Sequence, residues 1–206
     1  MTRTDLLNHL IKKHWLKSYL EIGVQNPAQN FDKIECQYKV SVDPDPNASA
    51  TYCKSSDEFF YDYFDDEYAF DVTFGVNGSF VKYDLIFIDG LHTAEQVRKD
   101  FENALKILAI GGFIVLHDCN PQKEEHTIVP RPAKTGHWNG DVYKFAVSIA
   151  SNWANYKTID IDNGCGIFYN TFPQYSLNDG DISWDYFDKH RKELLNLISW
   201  DEFIKL

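Results

Sequence analysis

Four residues of this chain combine carboxylate and imidazole in two short steps: Asp89 and His92 in Ile88-Asp89-Gly90-Leu91-His92, and His117 and Asp118 in Leu116-His117-Asp118. Each step closes an apolar run, so the four converge on one rim if the two runs are neighbouring strands. Such a set has three chemical readings. Asp89, His117 and Asp118 suit a divalent ion such as Mg, Mn or Zn, because carboxylate and imidazole are common ligands of such ions. Without a metal, His92 or His117 is a general base whose tautomer Asp118 fixes. The third reading is inert, with His117 satisfied by backbone and Asp118 capping the next segment. The sequence leaves all three open.

A second set points to a ligand. Tyr19-Leu20-Glu21-Ile22-Gly23 closes one apolar run and Val40-Ser41-Val42-Asp43 closes the next. In doubly wound sheets a glycine at the first strand end admits the ligand, and an acid about 20 residues on accepts bonds from ribose hydroxyls. Gly23 and Asp43 fit those roles. The bland alternatives are a solvated strand end for Glu21 and a simple turn at Asp43-Pro44-Asp45-Pro46, since Asp and Pro favour turns. The first turn, Val24-Gln25-Asn26-Pro27-Ala28-Gln29-Asn30, has no further glycine to bring a pyrophosphate to a helix N-terminus. The ligand expected is therefore a nucleoside without phosphates, and S-adenosylmethionine is the obvious one.

Short runs rich in Ile, Val, Phe and Tyr alternate with helix-length polar stretches, the pattern of βαβ units and a parallel sheet. The spacing predicts strands near Ser18 to Gly23, Tyr38 to Asp43, Ala50 to Cys53, Tyr83 to Asp89 and Phe113 to Asp118. Helices are expected near Asp5 to Leu16, Pro27 to Ile34, Ser56 to Phe64 and Thr93 to Leu108. The last of these has a Thr93/Gln96 capping box, an apolar stripe of Val97, Phe101, Ala104, Leu105 and Leu108, and a Gly111-Gly112 stop. Asp162-Asn163-Gly164 between apolar runs signals an antiparallel hairpin. Two stretches do not fit the repeating unit: Asp65 to Phe80, acidic and aromatic, and Asn120 to Asn139, which carries Pro121, Pro130, Pro132, His126 and His137. The end, Trp184 to Leu206, has helical spacing in Phe187, Leu194, Leu195 and Ile198. It is expected to dock on the sheet or on a second subunit as a homodimer contact.

The chain has 206 residues, with 31 acidic against 20 basic side chains and a net charge of −11. That length reads as one domain over 1–206, with a lid or insertion at 120–139 and a C-terminal helical segment at 184–206. The acidic balance argues against nucleic acid and anionic membrane surfaces as partners. No run reaches transmembrane length, and the start lacks the apolar core of a signal peptide. Cys36, Cys53, Cys119 and Cys165 show no C-x-x-C spacing, which predicts free thiols and a cytoplasmic setting.

Taken in order, Tyr19-Leu20-Glu21-Ile22-Gly23, Val42-Asp43-Pro44, Asp84-Leu85-Ile86-Phe87-Ile88-Asp89-Gly90-Leu91-His92 and Gly111-Gly112-Phe113-Ile114-Val115-Leu116-His117-Asp118 resemble the class I S-adenosylmethionine-dependent methyltransferases. The similarity is to the branch with I-D-G-x-H and H-D segments. Trp138-Asn139-Gly140-Asp141-Val142 and Asp162-Asn163-Gly164-Cys165-Gly166 also look like a bacterial subgroup of that branch with mostly undefined substrates. The resemblance spans about residues 18–170. It implies a Rossmann-like, doubly wound, mostly parallel seven-stranded sheet with helices on both faces and its last strand antiparallel between the two before it. It further implies that Glu21 and Gly23 line the methionine end of the cofactor, Asp43 the ribose and Ser56-Asp57 the adenine edge, with Asp89 also touching the cofactor. Some relatives use an acidic set like Asp89, His117 and Asp118 for metal-assisted methylation of hydroxyls. One departure is clear: where the family's first turn usually has a second glycine, this chain has Asn26 or Pro27-Ala28.

The loop from Asn120 to Asn139 follows the catalytic pair directly and reads as a lid, with Arg131 holding an anionic substrate group and His137 and Trp138 contacting the acceptor. Its alternative is a surface connection with Asp141 capping a helix from Val142. The function expected is methyl transfer from S-adenosylmethionine to a small polar acceptor, a hydroxyl of a sugar or other metabolite. The rivals are a non-catalytic nucleoside-binding or scaffold protein of the same fold and a dinucleotide-dependent oxidoreductase, which the missing G-x-G-x-x-G opposes.

Overall fold

A strand covered on both faces needs apolar side chains on both, and the runs Leu85-Ile86-Phe87-Ile88 and Phe113-Ile114-Val115-Leu116 supply them without alternation. The computed structural model describes residues 1–64, 82–133, 136–153, 155–169 and 182–206. Seven strands form one sheet: β1 (Ser18–Ile22), β2 (Tyr38–Val42), β3 (Tyr83–Ile88), β4 (Leu108–Leu116), β5 (Lys157–Ile159), β6 (Cys165–Tyr169) and β7 (Leu197–Ile198). Their order is β2-β1-β3-β4-β6-β5-β7. The first four are parallel, β6 is antiparallel to β4 and β5, and β7 lies parallel to β5.

Helices cover both faces. On one side α2 (Ser56–Phe64), α3 (Ala94–Ile107), α4 (Val142–Asn152) and α5 (Trp184–Leu194) pack on Leu20, Ile22, Ile86, Ile88, Ile114 and Leu116. On the other, α1 (Arg3–His14) lays Leu6, Leu7, Leu10 and Ile11 on Tyr19, Leu85, Phe87 and Val115, joined by Trp200 and Phe203 of the short α6 (Trp200–Phe203). The period of two along each strand divides the core into these halves.

Several expected elements change form. Ala50 to Cys53 gives no strand but a single bridge, Val42 to Tyr52, and the sheet reaches seven strands through β7, inside a segment whose spacing reads as helical. Pro27 to Ile34 holds only one turn of 3₁₀-helix, Phe31–Lys33. Thr93 does cap α3 by accepting from Gln96 N, but the Gln96 amide turns towards Ser56, Asp57 and Asp100 and leaves the box half formed. Gly111 does not stop α3 either: β4 starts at Leu108, and the register slips between its Leu108 and Phe113 pairings with β3. Asp65 to Phe80 lies outside the described residues.

The hairpin forms as expected, with Asp162, Asn163 and Gly164 all at positive φ. Its tip is pinned to the end of β4, where Cys119 N donates to Gly164 O and Asn120 N to Asn163 O.

Gly23 has a reason that its motif does not reveal. At φ +87 it turns directly against the end of β3, and a Cβ there would lie 2.1 Å from Asp89 O. Gly23→Ala should therefore cost more than the ~1–2 kcal/mol that a left-handed backbone imposes on an L-residue, read as a lower urea midpoint at constant slope. An unchanged midpoint would mean that the two strand ends separate freely.

Candidate active site

The carboxyl ends of β1, β2, β3 and β4 open into a cavity of about 850 Å³, lined among others by Gly23, Asp43, Ser56, Asp57, Asp89, His92, His117, Asp118 and Trp138. Parallel strands leave their last backbone groups at one edge, which is why ligands settle there.

Asp43 braces the floor. Its Oδ2 accepts from Val24 N and Gln25 N, both at 2.8 Å, and its Oδ1 from Asp45 N at 2.8 Å. A carboxylate has about four acceptor positions, so one on Oδ1 stays available in the cavity wall. The bonds to Val24 and Gln25 also explain how the first turn forms without a second glycine: Gln25, not Asn26, takes the left-handed conformation at φ 53. Asn26 accepts from Ala28 N instead.

At the end of β3 and β4 the acids and histidines interlock. His117 Nδ1 lies 3.1 Å from Asp89 Oδ1 and 3.3 Å from Asp118 Oδ1. His92 sits between the same carboxylates, with Nδ1 2.9 Å from Asp118 Oδ2 and Nε2 3.5 Å from Asp89 Oδ1. Burial opposes charge on His92, but Asp118 and Asp89 override it and raise its pKa to about 10. Burial likewise favours a neutral Asp89, and His117 overcomes that, holding its pKa below the usual carboxylate range. For His117 the same acids raise the pKa against the cost of burial. Yet Arg3 Nη1 approaches its Nε2 at 3.1 Å, and a guanidinium only donates. That contact fixes a lone pair on Nε2 and leaves the Nδ1 proton facing Asp89. Ligand atoms of Asp89, His92 and Asp118 all lie within 4.8 Å of one another, so the candidate cation site takes its imidazole from His92 rather than from the expected His117. Asp118 itself is at φ 60 and receives Asn139 Nδ2 at 2.6 Å.

The loop from Asn120 to Asn139 forms the outer wall. Asn139 N and Gly140 N both donate to His126 O, and Trp138 Nε1 to Ile128 O at 2.7 Å. The Trp138 ring stacks on His92 at 5.3 Å, and Arg131 lies over the Trp138 ring at 5.5 Å from its centre. Arg131, His137 and Trp138 therefore all reach the cavity. Asp141 precedes α4 without capping it; its Oδ1 accepts from Ala94 N at 2.7 Å and so caps α3 instead.

Of the expected site residues, Gly23, Asp43, Ser56, Asp57, Asp89, His92, His117, Asp118, Arg131, His137 and Trp138 share this one cavity. Glu21 does not line it. It faces the α1 side of the sheet, buried, where Tyr19 Oη donates to its Oε2 at 2.6 Å and Asn30 Nδ2 at 3.0 Å. The partners differ from those of the inert reading, in which backbone satisfies His117 and Asp118 caps the next segment: His117 meets Asp89, Asp118 and Arg3, and Asp118 accepts from Asn139. Sequence reasoning missed Arg3, Asn139 and Asp162. Arg3 meets Asp89 at 3.8 Å and Asp162 at 3.7 Å, and its backbone N donates to Asp162 Oδ2. The one sequence signal for it is a cation in the first turn of a helix, where the dipole disfavours one.

Residues 37–119 match the family described as a methyltransferase domain. No curated protein matches the chain. Among solved structures, a Podospora anserina methyltransferase bound to S-adenosylhomocysteine is similar at 16% identity and TM-score 0.50, covering 80% of this chain and 76% of that one. An O-methyltransferase from Bacillus cereus in complex with S-adenosylhomocysteine is 15% identical over 81% and 80% of the two chains, with TM-score 0.47. The N-methyltransferase NodS from Bradyrhizobium japonicum is 18% identical over 82% and 94%, with TM-score 0.46. Residues 37–119 are thus similar to a methyltransferase domain, and the sheet shares the fold of the Podospora anserina methyltransferase.

Glu21 provides a test of the buried face. Burial, opposed by the Tyr19 and Asn30 bonds, raises its pKa from 4.5 to about 7. The folded protein then keeps a proton that the unfolded chain has released, so its stabilising effect is full below pH 4.5 and is lost as pH rises through about 7. Between those limits the loss is on the order of 3 kcal/mol. Glu21→Gln cannot titrate, so urea unfolding should show it gaining on the wild type by that order between pH 4.5 and 8; a constant difference across the range would contradict the assignment.

Proposed function

We propose that this protein is an S-adenosylmethionine-dependent methyltransferase that transfers the cofactor's methyl group to a hydroxyl of a small polar acceptor, such as a sugar or comparable metabolite. The observation that carries this is that the Asp89, His92 and Asp118 cluster shares one cavity with Ser56, Asp57 and Asp43. The adenine lies by Ser56 and Asp57 in this reading, and a ribose hydroxyl donates to the remaining position on Asp43 Oδ1. The sulfonium then faces Asp89. The acceptor oxygen attacks the methyl carbon as the carbon–sulfur bond breaks, S-adenosylhomocysteine leaves, and the hydroxyl proton passes to His92. Such a displacement depends on alignment and proton removal more than on special groups.

His92 is favoured over His117 as the base because its side chain is more exposed and its Nε2 is held only loosely, 3.5 Å from Asp89, whereas the buried His117 meets Asp89 and Arg3 both at 3.1 Å. A histidine with a pKa near 10 holds its proton at neutral pH. The cationic sulfonium beside Asp89 and Asp118 offsets the charge that raised that value, and so returns His92 to a range where it can accept a proton. Arg131 and Trp138 support an acceptor with a polar or anionic group and a face to stack.

A second reading has its own support: Asp89, His92 and Asp118 would hold a divalent ion, which would supply Lewis-acid activation of the hydroxyl. The donor chemistry suits Mg, Mn or Zn.

Turnover is followed as S-adenosylhomocysteine release across a set of hydroxylated acceptors. His92→Asn should lower kcat by about 100-fold or more and remove the alkaline rise of its pH profile, with cofactor affinity little changed. Loss of turnover on chelation, restored by Mg or Mn, selects the metal reading. Full activity in both His92→Asn and Asp118→Asn would sink both.

A further inference from the structure

S-adenosylmethionine carries one anionic group, the α-carboxylate of its methionine part, beside a cationic ammonium and sulfonium. The described cavity wall is rich in acids, with Asp43, Asp45, Asp57, Asp89 and Asp118, and its arginines are Arg3 and Arg131. Acids suit the two cationic groups, and the carboxylate needs one of the arginines. Arg131 lies over Trp138, which itself stacks on His92, the group assigned to the acceptor in the reading above. Arg3 lies at the junction of β1 and β3, in the same stretch of wall as Gly23, Val24, Gln25 and Asp89.

The contacts of Arg3 leave a binding edge open. Its ion pairs with Asp89 and Asp162 and its approach to His117 all use Nη1. Nη2 and Nε have no partner among the described residues. These two nitrogens form the side of the guanidinium fork that binds a carboxylate through two parallel bonds. Arg3 is also held in place independently of its side chain, through its backbone N–H to Asp162 and the Thr2/Asp5 capping box of α1. An anion there would offset both the arginine charge and the positive end of α1.

We propose that Arg3 is the carboxylate clamp of the cofactor, delivered by the first turn of α1 to the methionine end of the cavity. The proposal rests on the cofactor reading above. It makes α1 part of the binding site as well as a cover for the sheet. It also joins cofactor to catalysis, because the guanidinium that holds the carboxylate touches His117 and Asp89 through its other nitrogen.

The experiment is calorimetric titration of the full chain with S-adenosylhomocysteine and with decarboxylated S-adenosylhomocysteine, which keeps the nucleoside, thioether and ammonium. The wild type should bind the first about tenfold or more tightly over the second, the scale of a charge-assisted bond. Arg3→Gln should lose that preference by weakening the first ligand alone, and Arg3→Lys, which keeps the charge without the fork, should restore part of it. Thermal melting of each variant reports folding, and if Arg3→Gln fails to fold, the Arg3→Lys ratio decides. Equal weakening of both ligands, or no change in either, overturns the clamp while leaving the cofactor reading intact. A wild type that binds neither nucleoside overturns that reading and the clamp with it.

Discussion

Asp89 is the point on which the site depends. Its backbone N–H donates to Ile22 O at 2.8 Å, closing the end of β3 onto the end of β1. Its carbonyl stands where a Gly23 side chain would be, and its carboxylate faces His117, His92 and Arg3. One residue therefore fixes the distance between two strand ends and the orientation of two imidazoles. This is possible because β1 and β3 are parallel neighbours: their last residues arrive at one edge, and a glycine at one end lets the other end approach without a gap. The turn after β1 is then shaped by Asp43 from the next strand across.

Charge balance shapes the rest of the rim. Asp89, Asp118 and Asp162 surround His117, and two of them also flank His92. Buried carboxylates so close together need cations or protons to exist. Arg3 and His92 provide the cations, and His117 turns its Nδ1 proton to Asp89. The cluster is thus charged and compensated in the folded protein, but its compensation is divided among groups that a cationic ligand can relieve. A site built this way is more responsive to an incoming positive charge than one closed by a single ion pair.

Segments far apart in the chain assemble this rim. Arg3 comes from the first helix, Asp162 from a hairpin tip, and Asn139 from the loop before α4. The hairpin tip is anchored by backbone bonds to Cys119 and Asn120, immediately after His117 and Asp118, so its placement follows from β6 inserting antiparallel between β4 and β5. At the far edge, Arg191 of α5 donates to Asn120 Oδ1 and Pro121 O. The C-terminal segment thus steadies the start of the loop that walls the cavity, besides adding β7 to the sheet.

The sequence alone determined the parallel architecture and most of the site. Unbroken apolar runs at helix-length intervals can be satisfied only as strands buried on both faces, and the residues ending those runs, Gly23, Asp43, Asp89, His92, His117 and Asp118, must then gather at the carboxyl edge. The Asn163-Gly164 hairpin was legible because its backbone requirement is local. What the tertiary structure decided was everything set by approach between distant segments. The period of two that directs Leu20 to one face directs Glu21 to the other, yet only the packed α1 and Asn30 show that this face is closed and away from the cavity. Ala50 to Cys53 has strand-forming residues, but with pairing limited to one bridge at the sheet edge it does not extend. Asp141 has the right type and place to cap α4, and a neighbouring helix end competes for it and wins. Arg3 carries no motif at all; its role exists because α1 docks with its first turn over the junction of β1 and β3. Hydrophobic periodicity is encoded residue by residue, whereas a contact across the fold depends on where both partners arrive, and the second partner is absent from any local reading.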